Sequence, residues 1–266
     1  MCYNLNMEKL FIQNRYGLKI ALRLSIGTDP TKLVFLEHGL SARKEYPHML
    51  VLEEQFVING YTVVNFDATN SLNESDVSPE GPSIKTHYED LEDVITWAKT
   101  QNFYTAPFAL AGQSLGAVAV VAYASKNRTD VNLLMPIAFP YINGKEQINY
   151  DRRIKDILSS GCFEQLSKST GRKLKIFNRY YQDLLTWDLS DEIKNITAKT
   201  IILIGLLDDP WHIENAKRLY DKLNCEKEIK LLPNVPHDLA NTPETKEIFT
   251  KTLEEVFMQV NKDFTH

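Results

Sequence analysis

The stretch "ALAGQSLGAVAVVAYASK", residues 109–126, sets a serine between two glycines where an apolar run meets a pattern of helical character. Gly112, Gln113, Ser114, Leu115 and Gly116 match G-x-S-x-G, with a strand FALA (108–111) before the serine and a helix after it. That strand–turn–helix setting is what gives the pattern meaning. The reason is steric: a sharp strand-to-helix turn forces its central residue into a strained backbone conformation, and flanking side chains larger than hydrogen clash. The turn thrusts the Ser114 hydroxyl out of the sheet edge. The helix that follows points its N-terminus at the same place, so the Leu115 N–H and the helix dipole can stabilise negative charge on a reacting oxygen. The plainer alternative is a glycine-flanked turn whose serine caps the helix.

Working outward, short β-rich runs alternate with helical patterns, which predicts an α/β fold with a mostly parallel sheet and helices on both faces. KLVFLE (32–37), a helix over 47–58 closed by Gly60, and YTVVNF (61–66) make one βαβ unit. Leu91, Val94, Ile95 and Ala98 mark the helical face that leads through Pro107 into FALA. At the N-terminus, LFIQ (10–13) and LKIALRLSI (18–26) read as an antiparallel hairpin at the edge of the sheet. Downstream, VNLLMP (131–136), KTIILIG (199–205) and EIKLL (228–232) are strands, with helices through Leu219 and through Leu253. Roughly sixty residues separate the first two of these strands, far longer than an ordinary connection. They carry charged helical pieces, three glycines, the basic run GRKLKIFNRYY (171–181) and several aromatics. We read an inserted cap over 141–190 within a single domain spanning 1–266.

Composition limits the chemistry. The chain has 266 residues, 43% of them hydrophobic, enough for one large core. Its net charge of −5 disfavours nucleic acid or an anionic membrane as partner and favours a small or uncharged substrate. Cys2, Cys162 and Cys225 are odd in number with no CxxC spacing, which indicates neither a disulfide framework nor a zinc site. No basic-then-apolar leader and no run of 18 apolar residues occurs, so a cytoplasmic protein without an integral membrane segment is expected.

A serine hydroxyl becomes a nucleophile only when a base takes its proton, so Ser114 requires a histidine and an orienting acid. Asp208 follows KTIILIG in "GLLDDPWH" (205–212), and His237 follows EIKLL in "LPNVPHDL" (232–239). Asp209 is the competing acid; Asp208 is preferred for its spacing from Gly205, and Asp209 reads as a turn residue before Pro210. His48, His87, His212 and His266 sit near helix starts or at the terminus and read as structural or solvent-facing. Lys168, Arg172, Lys173, Lys175 and Arg179 read as a solvated face. Phe177, Tyr180, Tyr181, Leu184 and Trp187 are core residues or the walls of an acyl or aryl pocket.

With the order Ser114, Asp208, His237, the chain resembles the α/β-hydrolase superfamily of serine hydrolases from the hairpin near residue 10 to the final helix. The resemblance implies the α/β-hydrolase fold with an eight-stranded, mostly parallel sheet. In "FLEHGLSARKE" (35–45) the His38-Gly39 pair follows a strand as it does where such proteins begin their oxyanion loop. The resemblance then implies that the Leu40 N–H joins the Leu115 N–H around the oxyanion, with His38 bracing the loop. "YYQDLLTWDLSDEIKNITAKTIILIG" (180–205) is similar to the branch holding cinnamoyl and feruloyl esterases, monoglyceride lipases and lysophospholipases. That branch carries D-x-R-G-x-G-x-S after the fourth strand; here "FDATNSLNESD" (66–76) keeps Asp67 and lacks the arginine and glycines. The expectation is hydrolysis of small or acyl/aryl carboxylic esters through an acyl-enzyme, with no metal or organic cofactor. A thioesterase, an amidase or peptidase with the same triad, and a non-catalytic binding protein of the same fold are the alternatives.

Overall fold

The structure, a computed structural model, describes residues 7–151 and 153–263; Cys2 and His266 lie outside the described residues. Strands β1 (Met7–Gln13) and β2 (Lys19–Ser25) pair antiparallel, as the two short apolar runs require. β2 in turn runs antiparallel to β4 (Thr62–Asp67). From there the sheet is parallel: β4 pairs with β3 (Leu33–Glu37), β3 with β5 (Phe108–Gln113), β5 with β6 (Val131–Ile137), β6 with β9 (Lys199–Gly205), and β9 with β10 (Lys227–Leu232). The result is one eight-stranded sheet in the order β1-β2-β4-β3-β5-β6-β9-β10. Every residue of β3, β4 and β5 is buried. Both faces of the sheet centre are therefore covered, which is why these strands read as continuous apolar runs instead of alternating ones.

The covering helices are α1 (Pro47–Ile58), α2 (Ile84–Ala98), α3 (Leu115–Lys126), α7 (Pro210–Lys222) and α8 (Pro243–Asp263). α1 packs with α8, and α2 with α3. α3 is buried from Leu115 through Ser125, so its sequence is apolar all round and shows little amphipathic period. α2 begins at Ile84, seven residues before Leu91, the first residue of the apolar face read from the sequence. Ser83 and Thr86 form a capping box, with the Thr86 N–H donating to Ser83 Oγ at 3.2 Å and the Ser83 N–H to Thr86 Oγ1 at 2.9 Å.

Between β6 and β9 the chain forms α4 (Gly144–Tyr150), α5 (Arg153–Ser160), the antiparallel pair β7 (Cys162–Leu166) and β8 (Lys173–Phe177), and α6 (Asn178–Thr186). The sequence reading expected charged helical pieces here, and the β7–β8 hairpin is the difference. Lys173 and Lys175 are exposed while Leu174 and Ile176 are buried. That two-residue period is a strand signal hidden inside what reads as a run of basic charge.

Candidate active site

Ser114 stands between β5 and α3 with φ 54° and ψ −116°, a conformation that L-residues rarely hold. Its N–H donates to the Ile137 carbonyl at 2.9 Å, tying the turn to the end of β6. The flanking glycines serve close approach: a Cβ on Gly112 would lie 2.4 Å from the Gly116 carbonyl oxygen, and one on Gly116 would lie 2.4 Å from that of Glu37. The helix can leave the sheet this abruptly because both contacts are free of side chains. The Leu115 N–H opens α3, where no preceding turn supplies an acceptor.

The loop after β3 lies directly against this elbow. A Cβ on Gly39 would come within 2.9 Å of Ser114 Cβ. Gly39 to Ala42 form a turn closed by the Ala42 N–H on the Gly39 carbonyl at 3.1 Å, with Ser41 at φ 58° in the third position. His38 is fully buried; its Nδ1 meets the Gly39 carbonyl at 2.7 Å and its Nε2 accepts the Ala68 N–H at 3.0 Å. Burial depresses the pKa of this imidazole, and the neutral ring is the form that donates on one side and accepts on the other. Asp67, also fully buried, accepts from the Lys44 backbone N–H at 2.8 Å and from Lys44 Nζ at 2.7 Å. The cation that "FDATNSLNESD" lacks is thus supplied from the other loop.

Asp208 and His237 come together at the ends of β9 and β10. Asp208 Oδ2 meets His237 Nδ1 at 2.8 Å, while Oδ1 takes His212 Nδ1 at 2.9 Å and the Asp209 N–H at 2.6 Å. Burial alone would raise the pKa of Asp208; the hydrogen bonds from His212 and His237 outweigh it and hold the carboxyl well below the usual carboxylate range. Asp209 does something else. It caps α7 by accepting the Trp211 N–H at 2.9 Å, and it accepts a hydrogen bond from the Tyr150 hydroxyl.

With Nδ1–H given to Asp208, His237 Nε2 carries the lone pair, and it accepts from the Gln113 side-chain nitrogen at 3.2 Å. Among the described residues, this amide and not the Ser114 hydroxyl is the hydrogen-bond partner at Nε2. Ser114, Leu115, Leu40, His237 and His212 line one cavity of about 370 Å³. Sequence reasoning missed His212 and Gln113. The i, i+4 spacing of Asp208 and His212 across the start of α7 permits the first contact without singling it out; the second residue occupies the variable position of its motif.

Asp208, His212 and His237 are also the described group whose ligand atoms, all within 4.8 Å of one another, are of a kind that can hold a metal ion. Each imidazole Nδ1 is hydrogen-bonded to its own carboxylate oxygen, so these atoms face the carboxylate instead of converging on a common point. The basic stretch of the insertion is largely paired: Lys168 with Asp238, Lys173 with Glu164 and Arg179 with Glu80. Of its aromatics, Tyr180 lines the cavity and Trp187 packs edge-on against Tyr88. His48 and His87 are buried, not solvent-facing; His48 also lines the cavity, and His87 meets Glu37 at 3.0 Å. Among the described residues no helix is long and apolar enough to cross a membrane.

No family model matches the chain, and no curated protein matches it. Solved structures do. Est1E from Butyrivibrio proteoclasticus with ferulic acid bound is similar at 18% identity and a TM-score of 0.80, over 94% of this chain and 98% of that one. Alpha/beta hydrolase domain-containing protein 10 from mouse gives 16% identity and 0.76, covering 95% and 99%. The esterase domain of a Rhodothermus marinus protein gives 18% identity and 0.67, covering 96% and 99%. Agreement of backbone over nearly the full length of both partners, with the sheet order described above, shows that this chain has the α/β-hydrolase fold.

Proposed function

We propose that the protein is a serine hydrolase that cleaves carboxylic esters of small molecules. Ser114 Oγ attacks the ester carbonyl as His237 takes its proton, and Asp208 holds the imidazole in the Nδ1–H form and stabilises the cation that forms. The Leu40 and Leu115 N–H groups receive the oxyanion of the tetrahedral intermediate. His237 then hands the proton to the departing alkoxide, leaving an acyl-enzyme. Water, deprotonated by the same imidazole, attacks the acyl carbon; collapse releases the acid and returns the proton to Ser114. Residues 141–190 act as a cap over this site. The observation that carries the reading is the 2.8 Å bond from Asp208 to His237 in the cavity that also holds Ser114 on its strained turn. In this conformation His237 Nε2 rests on Gln113, and the contact with Ser114 is one that forms as substrate enters.

The Rhodothermus marinus domain is described as an esterase, and Est1E is described with ferulic acid, a carboxylic acid, bound; both support ester cleavage for a chain of the same fold. A cavity of about 370 Å³ suits a small molecule, and Gln147, Asp151, Arg153 and Lys168 in its wall favour a short or hydroxylated substrate over a long alkyl chain. The test is turnover of p-nitrophenyl acetate and butyrate by wild type and Ser114→Ala. The variant is expected to lose on the order of a thousandfold or more in kcat. Turnover by the variant at the wild-type rate overturns the proposal.

A further inference from the structure

The turn joining β7 to β8 reaches across and holds the loop that carries Leu40. Just before the turn, at the end of β7, Gln165 Nε2 donates to Ser41 Oγ at 2.9 Å. The Ser41 carbonyl oxygen receives two hydroxyls from the same turn, Ser167 Oγ at 2.6 Å and Ser169 Oγ at 3.0 Å. Ser167 is fully buried; its oxygen accepts the Thr170 N–H at 3.2 Å and lies 3.0 Å from Ser169 Oγ, so the two hydroxyls form one cluster against the Ser41 carbonyl. Two residues further into the insertion, Arg172 Nη1 donates to the Leu72 carbonyl at 2.9 Å. From the same turn Lys168 Nζ meets Asp238 Oδ2 at 3.1 Å, next to His237 in the chain.

Ser41 is where such a grip matters. It sits at φ 58°, a left-handed value a serine adopts only when its surroundings compensate, in the third position of the Gly39–Ala42 turn. That turn decides where the Leu40 N–H points, because Leu40 is its second residue. We infer that Ser167 and Ser169 are positioning residues for the oxyanion hole, holding Ser41 left-handed so that the Leu40 N–H stays aimed at the reacting carbonyl. The inference rests on the serine-hydrolase reading above. It makes the insertion part of the catalytic apparatus: the turn that roofs the site also sets one of its two proposed donors. Lifting it away would release Ser41 and blunt the chemistry along with opening the cavity.

A hole that is loosened, not lost, weakens stabilisation of the tetrahedral state more than binding of the flat ester. Ser169→Ala and the double variant Ser167→Ala/Ser169→Ala are assayed on p-nitrophenyl butyrate, with a trifluoromethyl ketone as the tetrahedral mimic. The double variant is expected to lose about tenfold in kcat with little change in KM, and to bind the ketone correspondingly weaker. Ser169→Thr, which keeps the hydroxyl, recovers most of the loss seen in Ser169→Ala. Should the double variant fold poorly, hydrogen exchange of the peptide spanning residues 38–46 in Ser169→Ala is expected to show faster exchange confined to that peptide. Unchanged kcat and ketone affinity in a folded double variant, a loss carried in KM alone, or unaltered exchange in Ser169→Ala overturns the inference. Ser114→Ala in the same assay separates the two layers: its inactivity beside unaffected serine variants rejects the inference alone, whereas its full activity rejects the parent reading and the inference with it.

Discussion

Asp208 accepts from two imidazoles and one backbone N–H, so replacing it does more than remove a charge. An asparagine there would present an N–H to His237 Nδ1 and drive the ring to the tautomer whose Nε2 carries a proton, useless as a base. Asp208→Asn is expected to lower kcat on p-nitrophenyl esters by about 10⁴-fold. Asp209→Asn keeps the cap on α7, since asparagine caps as well as aspartate, and should stay within a few-fold of wild type. Equal losses in the two variants would contradict the assignment. Asp208 was legible because it directly follows the strand KTIILIG and precedes a residue with a plain turn role. His212 was not: its bond to Asp208 exists only once the carboxylate is buried beside the first turn of α7, and a lone histidine near a helix start looks the same when it faces water. Gln113 has no sequence signal either, because its contact with His237 joins the end of β5 to a loop 124 residues further along the chain.

At the scale of elements, the helix that follows Ser114 is held by what is missing from its first turn. A methyl on Gly116 would meet the Glu37 carbonyl oxygen at 2.4 Å and that of His38 at 2.6 Å, both backbone atoms with little freedom to retreat. Gly116→Ala is therefore expected to destabilise the fold by roughly 1–3 kcal/mol, measured by urea denaturation. It should also reduce activity, since the displaced loop carries Leu40. A variant with wild-type stability and turnover would show that the glycine is dispensable. Ser83→Ala, which removes one half of the α2 capping box, should cost about 1 kcal/mol with no effect on turnover. The parallel strands and main helices were readable because burial on both faces writes long apolar runs and a single dominant stripe into the sequence. β7 and β8 were not, because each is only five residues long, and β8 alternates lysine with leucine or isoleucine inside a run that reads equally as a charged helix.

For the whole molecule, the fold was anticipated from the alternation of strands and helices and the Asp208–His237 contact from residue order, whereas the bonds between the insertion and the loop after β3 were not. Hydroxyl-to-carbonyl bonds between Ser41 and the segment 167–169 depend on chain geometry more than a hundred residues apart. Buried carboxyls outside the site also give the protein a pH signature. Burial raises the pKa of Asp90 from 3.8 to about 6, against the lowering effect of hydrogen bonds from Asn14 and Thr69. Its folded value exceeds its unfolded one, so its contribution to stability is fully present below about pH 4 and lost as the pH rises through about 6, on the order of 3 kcal/mol. Asp208 has the opposite sign, its contribution being lost only as the pH falls below the usual carboxylate range. Urea denaturation of wild type and Asp90→Asn at pH 4 and pH 7.5 should show wild type losing stability relative to the variant on going to the higher pH. A constant difference between the two proteins would contradict the buried-acid account.

In the proposed mechanism Ser114 Oγ is the nucleophile that becomes acylated, and labelling tests this most directly. After treatment with a fluorophosphonate, peptide mass mapping is expected to find one phosphonyl group on the peptide holding Ser114, none in Ser114→Ala, and much slower labelling in His237→Ala. Label on a different residue, or equal labelling of Ser114→Ala, would contradict it.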